Sequence, residues 1–426
     1  MRQVAAAHSN LVMRALFSSR KAAAYPLYLF MMATQACALT MVFTVNLVYQ
    51  VQQVGLNPLQ LVLVGTTLEL TAFLFEIPTG VVSDVHSRRL SVIIGFALLG
   101  FGFLVEGGLP VFEALLVAQV IMGLGYTFLS GATSAWIADE IGQERAPNAF
   151  LRGSQVSQVV SFVSIFFSVA IASHSLQAAI IAGGVMLLCL SLLLLIVMPE
   201  AGFARRPKGE RENWRALFDT FRAGLAMICG SRFLLLILLA TVFHGAFSEG
   251  FDRLWTAHLL ANFEFPPLGG LDQIIWFGII SAVSMPLCLA ATEVLRRRLD
   301  FADGRRVAAA LIVVYVTMIG SVLLFVYGGS FAWALVGLWL AQAMRGIRNP
   351  LMEAWINQHT ASAVRATVLS VQGQADALGQ IAGGPLVGAV ALLSSLRLAI
   401  SLSALMLLPV LPVFRRSIRY TSASET

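Results

Sequence analysis

The chain has 426 residues, of which 58% are hydrophobic and only 12% are charged, and its formal net charge at pH 7 is +6. This charged fraction is about half that of a soluble domain, so most of the surface must face lipid, and about twelve spans of about 20 residues leave no room for a soluble catalytic domain. The basic residues stand in short loops rather than on one solvated face, which excludes a nucleic-acid partner.

Twelve apolar runs predict twelve transmembrane helices. In chain order the runs are residues 25–51, 58–80, 90–105, 111–138, 150–173, 176–198, 233–260, 271–295, 307–327, 331–358, 367–390 and 396–414. The first run continues far past the length of a signal peptide, so we expect an uncleaved first span.

The placement of Lys and Arg predicts the orientation. With the N-terminus in the cytoplasm, almost all of the 28 basic residues fall in the inner loops, the tails and the adjacent helix ends, and the outer loops keep only Arg397. Cytoplasmic loops of membrane proteins carry this excess of positive charge. We therefore expect a multi-pass protein of a bacterial-type inner membrane with both termini in the cytoplasm.

The longest polar stretch, residues 199–232, separates two sets of six spans. We expect an all-α membrane protein with two pseudo-symmetric six-helix bundles, residues 1–198 and 233–426, joined by a cytoplasmic linker. Within the linker, apolar residues at helical spacing predict an amphipathic helix, which either lies on the membrane surface or simply connects the bundles. These residues are Trp214, Leu217, Phe218, Phe221 and Leu225.

A short internal repeat supports this division. Ala135-Trp136-Ile137 near the end of the fourth span recurs as Ala354-Trp355-Ile356 near the end of the tenth. Duplicated six-helix halves are a common plan for transporters, because two similar halves can rock about a central site. The repeat therefore favours a transporter with a binding site between the halves.

The loop between the second and third spans carries GVVSDVHSRR, which contains Gly80, Asp84, Arg88 and Arg89. This sequence resembles the signature loop of the major facilitator superfamily, with Ser87 in place of a glycine. The resemblance implies a secondary transporter that alternates between inward-open and outward-open states, without enzymatic activity and without a cofactor. It also implies that the loop is a gate that latches the two halves on the cytoplasmic side.

A glycine series with one proline, residues 379–388, marks the eleventh span for close packing and bending. It resembles the glycine-proline motif that drug antiporters of this superfamily carry in their fifth helix. The sequence is in this respect similar to the drug-efflux-like branch, although the series stands in a different helix.

Four of the carboxylates within the predicted spans are candidates for ion coupling, because ionisable groups at membrane depth usually mark a pathway. Glu249 and Arg253 are four residues apart and can pair on one helix face, which leaves Asp252 in need of another partner. Glu69 and Asp376 stand near the middle of the second and eleventh spans. A carboxylate shielded from water binds and releases a proton near neutrality, so these groups suit a proton or sodium gradient, or they form interhelical hydrogen bonds.

Two cations in the tenth span, Arg345 and Arg348, are three residues apart on one face. Unpaired, they would be costly, so they must meet either carboxylates or an anionic substrate. Polar residues of other spans are further candidates for lining a substrate cavity: Arg253, Gln35, Asn46, Gln155 and Gln372.

These features favour an ion-coupled secondary transporter that exports a small amphipathic or drug-like solute, with import of a sugar, an organic anion or another small metabolite as the alternative. The histidines and cysteines are scattered without a zinc or acid-base motif, and no nucleotide-binding loop occurs. We therefore expect no metal, a small-molecule substrate, a proton or sodium ion as the coupling ion, and a monomer in the bilayer.

Overall fold

The computed structural model describes residues 24–203, 232–267, 273–360 and 365–423. All regular structure in these residues is helical. Twelve helices follow in chain order: α1 Ala24–Gln53, α2 Pro58–Val85, α3 Arg88–Gly108, α4 Phe112–Ile141, α5 Ala146–Ala172, α6 Leu176–Val197, α7 Arg232–Asn262, α8 Ile274–Arg298, α9 Gly304–Tyr327, α10 Phe331–His359, α11 Arg365–Leu393 and α12 Leu396–Arg416. The amphipathic helix predicted between residues 214 and 225 lies outside the described residues.

Eleven of these helices are long and apolar enough to cross a membrane. The exception is α10, which is equally long but carries Arg345, Arg348 and Glu353. Each helix coincides with one predicted apolar run, so the all-α fold of about twelve spanning helices is confirmed.

Glycine sets the break and the end of α4. The helix is interrupted between Leu129 and Ala132, where Gly131 has φ +70°, and it stops at Gly142, where φ is +92°. Side chains other than glycine rarely adopt these angles. The short segment Ala132–Ile141 is thereby set off from the rest of α4.

The described residues form two compact units. The first contains the residues up to Asn46 and those from Leu74 to 203, and the second contains Leu47–Phe73 and the residues from 232 onwards. Because α2 contributes to both, its first half, with Glu69, belongs to the second unit.

In the first unit, α3 packs against α4 and α6. Gly100 and Gly184 bring α3 and α6 so close that an added methyl group at Gly100 would stand 2.7 Å from the carbonyl oxygen of Gly184. Helix α5 is bound to α1 by Ser168, which donates a buried 2.6 Å hydrogen bond to the carbonyl of Met41. Small residues thus allow close helix packing here.

The second unit repeats this pattern of neighbours. Helix α9 packs against α10 and α12, and α7 packs along α11. Gly245 of α7 faces the backbone of Asp376, and Gly379 of α11 faces the backbone of Val242. These contacts hold the charged turns of α7 beside the middle of α11.

The repeated tryptophans occupy corresponding places in the two units. Trp136 at the end of α4 is buried and donates a 2.7 Å hydrogen bond to the carbonyl of Pro199, just beyond α6. Trp355 near the end of α10 is equally buried and packs edge-on against Phe414 of α12, with ring centroids 5.0 Å apart. In each unit the tryptophan therefore joins its fourth helix to the end of its sixth.

Candidate functional site

Four helices of the second unit bring ionisable side chains together. Helix α7 supplies three of them, α10 two, and α2 and α11 one each. They are Glu249, Asp252, Arg253, Arg345, Arg348, Glu69 and Asp376, which we call the charged cluster.

Glu249 and Arg253 form the ion pair that their spacing predicts, with 3.2 Å between Oε1 of the glutamate and Nε of the arginine. Glu249 is almost fully buried, and Arg253 is largely so. Gly65 of α2 lies directly against both side chains, and Gly384 of α11 lies against the Cγ of Glu249. A side chain at either glycine would force these neighbours to move.

Asp252 has its partner on another helix. Arg345 binds both of its carboxylate oxygens, and the Nη2 to Oδ2 distance is 2.6 Å. The guanidinium also lies near the rings of Phe247 and Phe251, about 6 Å from each centroid. The bidentate bond to Asp252 and the two aromatic rings fix the position of the Arg345 guanidinium.

Arg348 differs from the other two arginines of the cluster. It is buried, and its hydrogen bonds go to neutral groups, the hydroxyl of Tyr315 at 3.2 Å and the side-chain oxygen of Asn349 at 3.1 Å. Its Nη2 atom has no hydrogen-bond partner among the described residues. The ring of the buried His244 lies against Tyr315 from α7.

Glu69 and Asp376 are the carboxylates without a bonded guanidinium. Glu69 is half-buried, accepts no hydrogen bond from the described residues and lies within electrostatic range of Arg253. Asp376 accepts a 3.0 Å hydrogen bond from Gln380 through one oxygen, and its other oxygen is buried without a partner in the described part of the chain. Each has capacity to accept a proton or a ligand.

A cavity of about 340 Å³ opens beside the charged cluster, between α7, α10 and α11. Its polar wall combines one cation, two carboxylates and three neutral groups. These side chains are Arg348, Asp376, Glu353, Thr241, Asn349 and Gln372. The volume is at the small end of the range for ligand pockets.

The predicted gating residues have contacts within the first unit. Arg88 at the start of α3 binds Asp139 and the carbonyl of Ala135. Arg89 donates a 2.6 Å hydrogen bond to the carbonyl of Leu195 in α6. These bonds tie α3 to the ends of α4 and α6.

The remaining two gating residues are not engaged in this way. Asp84 is exposed and makes no hydrogen bond or ion pair with the described residues, and a methyl group at Gly80 would meet open space there. The arginines and Asp84 therefore differ in their environments, although they belong to one motif.

Three predicted cavity residues are not among the side chains that line this cavity. Gln35, Asn46 and Gln155 belong to the first unit, where Gln155 is exposed and accepts a 3.3 Å hydrogen bond from Arg152. Of the other candidates, Gln372 and Arg348 line the cavity, and Arg253 and Arg345 are held in ion pairs.

Sequence reasoning missed two glutamates that make hydrogen bonds in the first unit, Glu200 and Glu106. Glu200 accepts hydrogen bonds from the Ser87 hydroxyl at 2.8 Å and from the backbone N–H of Arg89 at 3.0 Å. Glu106 at the end of α3 is fully buried and contacts Gln119 at 3.5 Å. Both glutamates stand at the ends of apolar runs, and this position is the signal that could have identified them.

Comparison with known proteins shows which family this chain resembles. Residues 28–338 match the sequence profile of the family described as the Major Facilitator Superfamily. The chain is 21% identical over 342 residues to a protein of Bacillus subtilis (strain 168) described as the uncharacterized MFS-type transporter YxaM, covering 78% of this chain and 80% of that protein.

Solved structures share the fold at low sequence identity. A mutant of the nucleoside transporter NupG superimposes with a TM-score of 0.75 at 14% identity, covering 92% of this chain and 99% of that one. A bacterial homologue of the human lysosomal transporter Spinster, in an inward-facing and unoccupied conformation, gives 0.70 at 14% identity, covering 94% and 97%.

Proposed function

This chain belongs to the major facilitator superfamily, and from that premise we propose that it is a proton-coupled secondary transporter of a small solute. It is a multi-pass membrane protein of the alternating-access type and not an enzyme. The coupling ion, the substrate class and the direction are our proposal, and the charged cluster of the second unit is the observation that supports it.

The charge balance of the cluster favours a proton. Four carboxylates and three guanidinium groups stand together there. Arginine does not give up its proton in proteins, whereas burial favours the protonated form of a carboxylate. One added proton would therefore neutralise the cluster, and its release would restore a negative charge.

Glu69 is the best candidate for carrying this proton. Glu249 and Asp252 are each bonded to an arginine, and Asp376 lines the cavity. Glu69 lacks such a bond, although Arg253 is near. Further titratable side chains around the cluster are His244, Tyr315, Cys288 and Glu353.

Glu69→Gln should uncouple transport from the proton gradient, because glutamine keeps the shape of the side chain but cannot bind a proton. The purified protein is first screened for thermal stabilisation by ethidium, glucose, succinate and amino acids at acidic and neutral pH. The best stabiliser is then offered to proteoliposomes with and without an imposed pH gradient. We expect gradient-driven accumulation by the unmodified protein and only equilibration by the variant.

The matched control is Glu113→Gln, which changes an exposed glutamate in the first turn of α4 and should leave coupling intact. Accumulation that survives a protonophore but requires sodium would reject the proton as the coupling ion. Unchanged coupling in Glu69→Gln would reject the assignment of this residue.

The sequence favours export of an amphipathic or drug-like solute. Import of a small polar metabolite is the second candidate, and the polar wall of the cavity supports it. Accumulation of the stabilising solute in energised cells would indicate import, whereas a higher cellular level after deletion of the gene would indicate export.

The signature loop completes the proposal. We assign Gly80, Asp84, Arg88 and Arg89 to a gate that latches bundles 1–198 and 233–426 at the cytoplasmic side, in a monomer of the inner membrane. The exposed, unengaged carboxylate of Asp84 supports this role, because it is free to bind a partner in another conformation.

A further inference from the structure

The cavity beside the charged cluster contains two opposite charges that do not bind each other. Arg348 projects from α10 and Asp376 from α11, and both line the same space. Each keeps one polar atom without a hydrogen-bond partner among the described residues, Nη2 of the arginine and Oδ1 of the aspartate. If the two residues formed a structural ion pair, these two atoms would be hydrogen-bonded to each other.

Arg348 requires an anion. Only 6% of this residue is exposed, and the partners of its guanidinium, Tyr315 and Asn349, are neutral. Asp376 lies within electrostatic range of Arg348 but is not hydrogen-bonded to it, and a buried charge without a bonded partner of opposite charge is strongly unfavourable. The other two arginines of the cluster satisfy this need with carboxylates of α7, so the unsatisfied one is the group that lines the cavity.

Asp376 and Glu353 supply negative charge to the same cavity, which complements the positive charge of Arg348. One oxygen of Asp376 accepts a hydrogen bond from Gln380, and the other is buried without a partner among the described residues, while the exposed carboxylate of Glu353 lines the same cavity. Two carboxylates attract a positively charged amino group, which donates several hydrogen bonds. Thr241 and Gln372 add neutral hydrogen-bonding groups to the same wall.

We propose that this cavity binds a small zwitterionic solute, with its anionic group on Arg348 and its amino group on Asp376. The volume of about 340 Å³ suits a molecule of amino-acid size. The proposal rests on the transport function proposed above and names its substrate class. The proposal gives the two arginines of α10 different roles, since Arg345 binds Asp252 while Arg348 binds the solute.

Equilibrium binding to the purified full-length protein tests this. The probes are amino acids and short ω-amino acids, each compared with the analogue that lacks the amino group and the analogue that lacks the carboxylate. We expect at least one zwitterion to bind, and both of its analogues to bind about tenfold more weakly or worse, because each loses one charge-assisted hydrogen bond. Arg348→Gln and Asp376→Asn should each weaken the zwitterion similarly, while Arg397→Gln, which changes an exposed cation of the same unit, should not.

A second kind of variant tests the location of the site without removing a charge. Gly373 lines the cavity on α11, and a side chain added there meets open space, so Gly373→Leu should fold and block the cavity. Undiminished binding by this variant would overturn the location. Equal affinity for the analogue without an amino group, binding only of sugars or hydrophobic cations, or no binding by any zwitterion of the panel would overturn the substrate class.

The proposals of proton coupling and of zwitterion binding can be rejected independently of each other. Binding in detergent needs no gradient, so zwitterion binding without gradient-driven accumulation would reject proton coupling and leave this site. Gradient-driven accumulation of a neutral sugar would reject the zwitterion and leave the coupling.

Discussion

Two arginines three residues apart on α10 have different partners. Arg345 binds the carboxylate of Asp252, whereas the hydrogen bonds of Arg348 within the described residues go to the neutral side chains of Tyr315 and Asn349. Their spacing places both on one helix face, but the partner is decided by the helix that stands opposite. Side chains of one type on one face can therefore differ in role.

Asp252→Asn should destabilise the protein by about 1–3 kcal/mol, because half-buried Arg345 loses a charged partner that it holds with two hydrogen bonds. Thermal unfolding of the purified protein measures the loss. The control is Asp300→Asn in an exposed loop, where asparagine can still accept the hydrogen bond from the backbone of Ala302. Equal unfolding temperatures of the two variants would mean that the ion pair does not stabilise the fold.

The sequence could predict the contacts of the site that are local in the chain. The pair of Glu249 and Arg253 follows from a spacing of four residues on a helix. The partner of Asp252 is 93 residues away, and the partner of Ser87 is 113 residues away, so no periodicity links them. The sequence indicated that Asp252 needed a partner, and only the packing of α7 against the other helices supplies it.

The glycines of α11 form a packing surface. Gly379 lies against the backbone of Val242, Gly383 lies against Ala246, and Gly384 lies against Thr66 and Glu249. The sequence predicted close packing and bending for this series, and the structure shows the packing. Helix α11 continues without interruption through its proline.

Gly379→Ala should lower the stability by about 1–3 kcal/mol, because the new methyl group would overlap the backbone of α7, which cannot move aside cheaply. The measurement is again thermal unfolding. Gly373→Ala on the same helix is the matched control, since its methyl group meets open space, and it should be neutral or slightly stabilising. If both substitutions behaved alike, the close contact of α7 and α11 would be wrong.

The signature motif at the junction of α2 and α3 contains both engaged and unengaged residues. Arg88 binds Asp139, while Asp84 is exposed and has no partner among the described residues. A side chain without contacts contributes little to stability, so any effect of changing it reports on another step.

Asp84→Asn should reduce transport while leaving the unfolding temperature and the expression level unchanged. Transport is measured in vesicles with the solute found in the stabilisation screen. Asp139→Asn serves as the comparison, because it removes the partner of Arg88 and should lower the unfolding temperature. Full transport by Asp84→Asn would remove the latch assignment.

Apolar length alone predicted the helices, because each span is bounded by polar or charged residues. It predicted their ends less well. Helix α2 continues to Val85, past the end of its apolar run at residue 80, and the break in α4 at Gly131 depends on backbone angles that a hydropathy pattern does not contain.

The whole molecule repeats one arrangement. In the first unit α3 packs on α4 and α6, and in the second unit α9 packs on α10 and α12. The buried Trp136 and Trp355 occupy matching positions in this arrangement. The three-residue sequence repeat around these tryptophans accompanies the shared packing.

An even number of spans with this charge bias predicts that both chain ends face the cytoplasm. A green fluorescent protein fused after residue 426 should be fluorescent, and alkaline phosphatase fused there should be inactive, because each enzyme or fluorophore matures on one side only. Fusions of both reporters to an outer loop, after residue 330, provide the reverse control. Active phosphatase at the C-terminus would reject the orientation.

The polar composition of α10 has a consequence for biosynthesis. An arginine at the centre of a span opposes its entry from the translocon into lipid by about 2.5–3.5 kcal/mol, and α10 carries two. The strongly apolar α9 precedes it and packs along it, with Gly337 of α10 against the backbone of Ser321. The ribosome therefore delivers the partner of α10 before α10 itself, and the two helices can leave the translocon as a hairpin in which Arg348 of α10 already bonds to Tyr315 of α9.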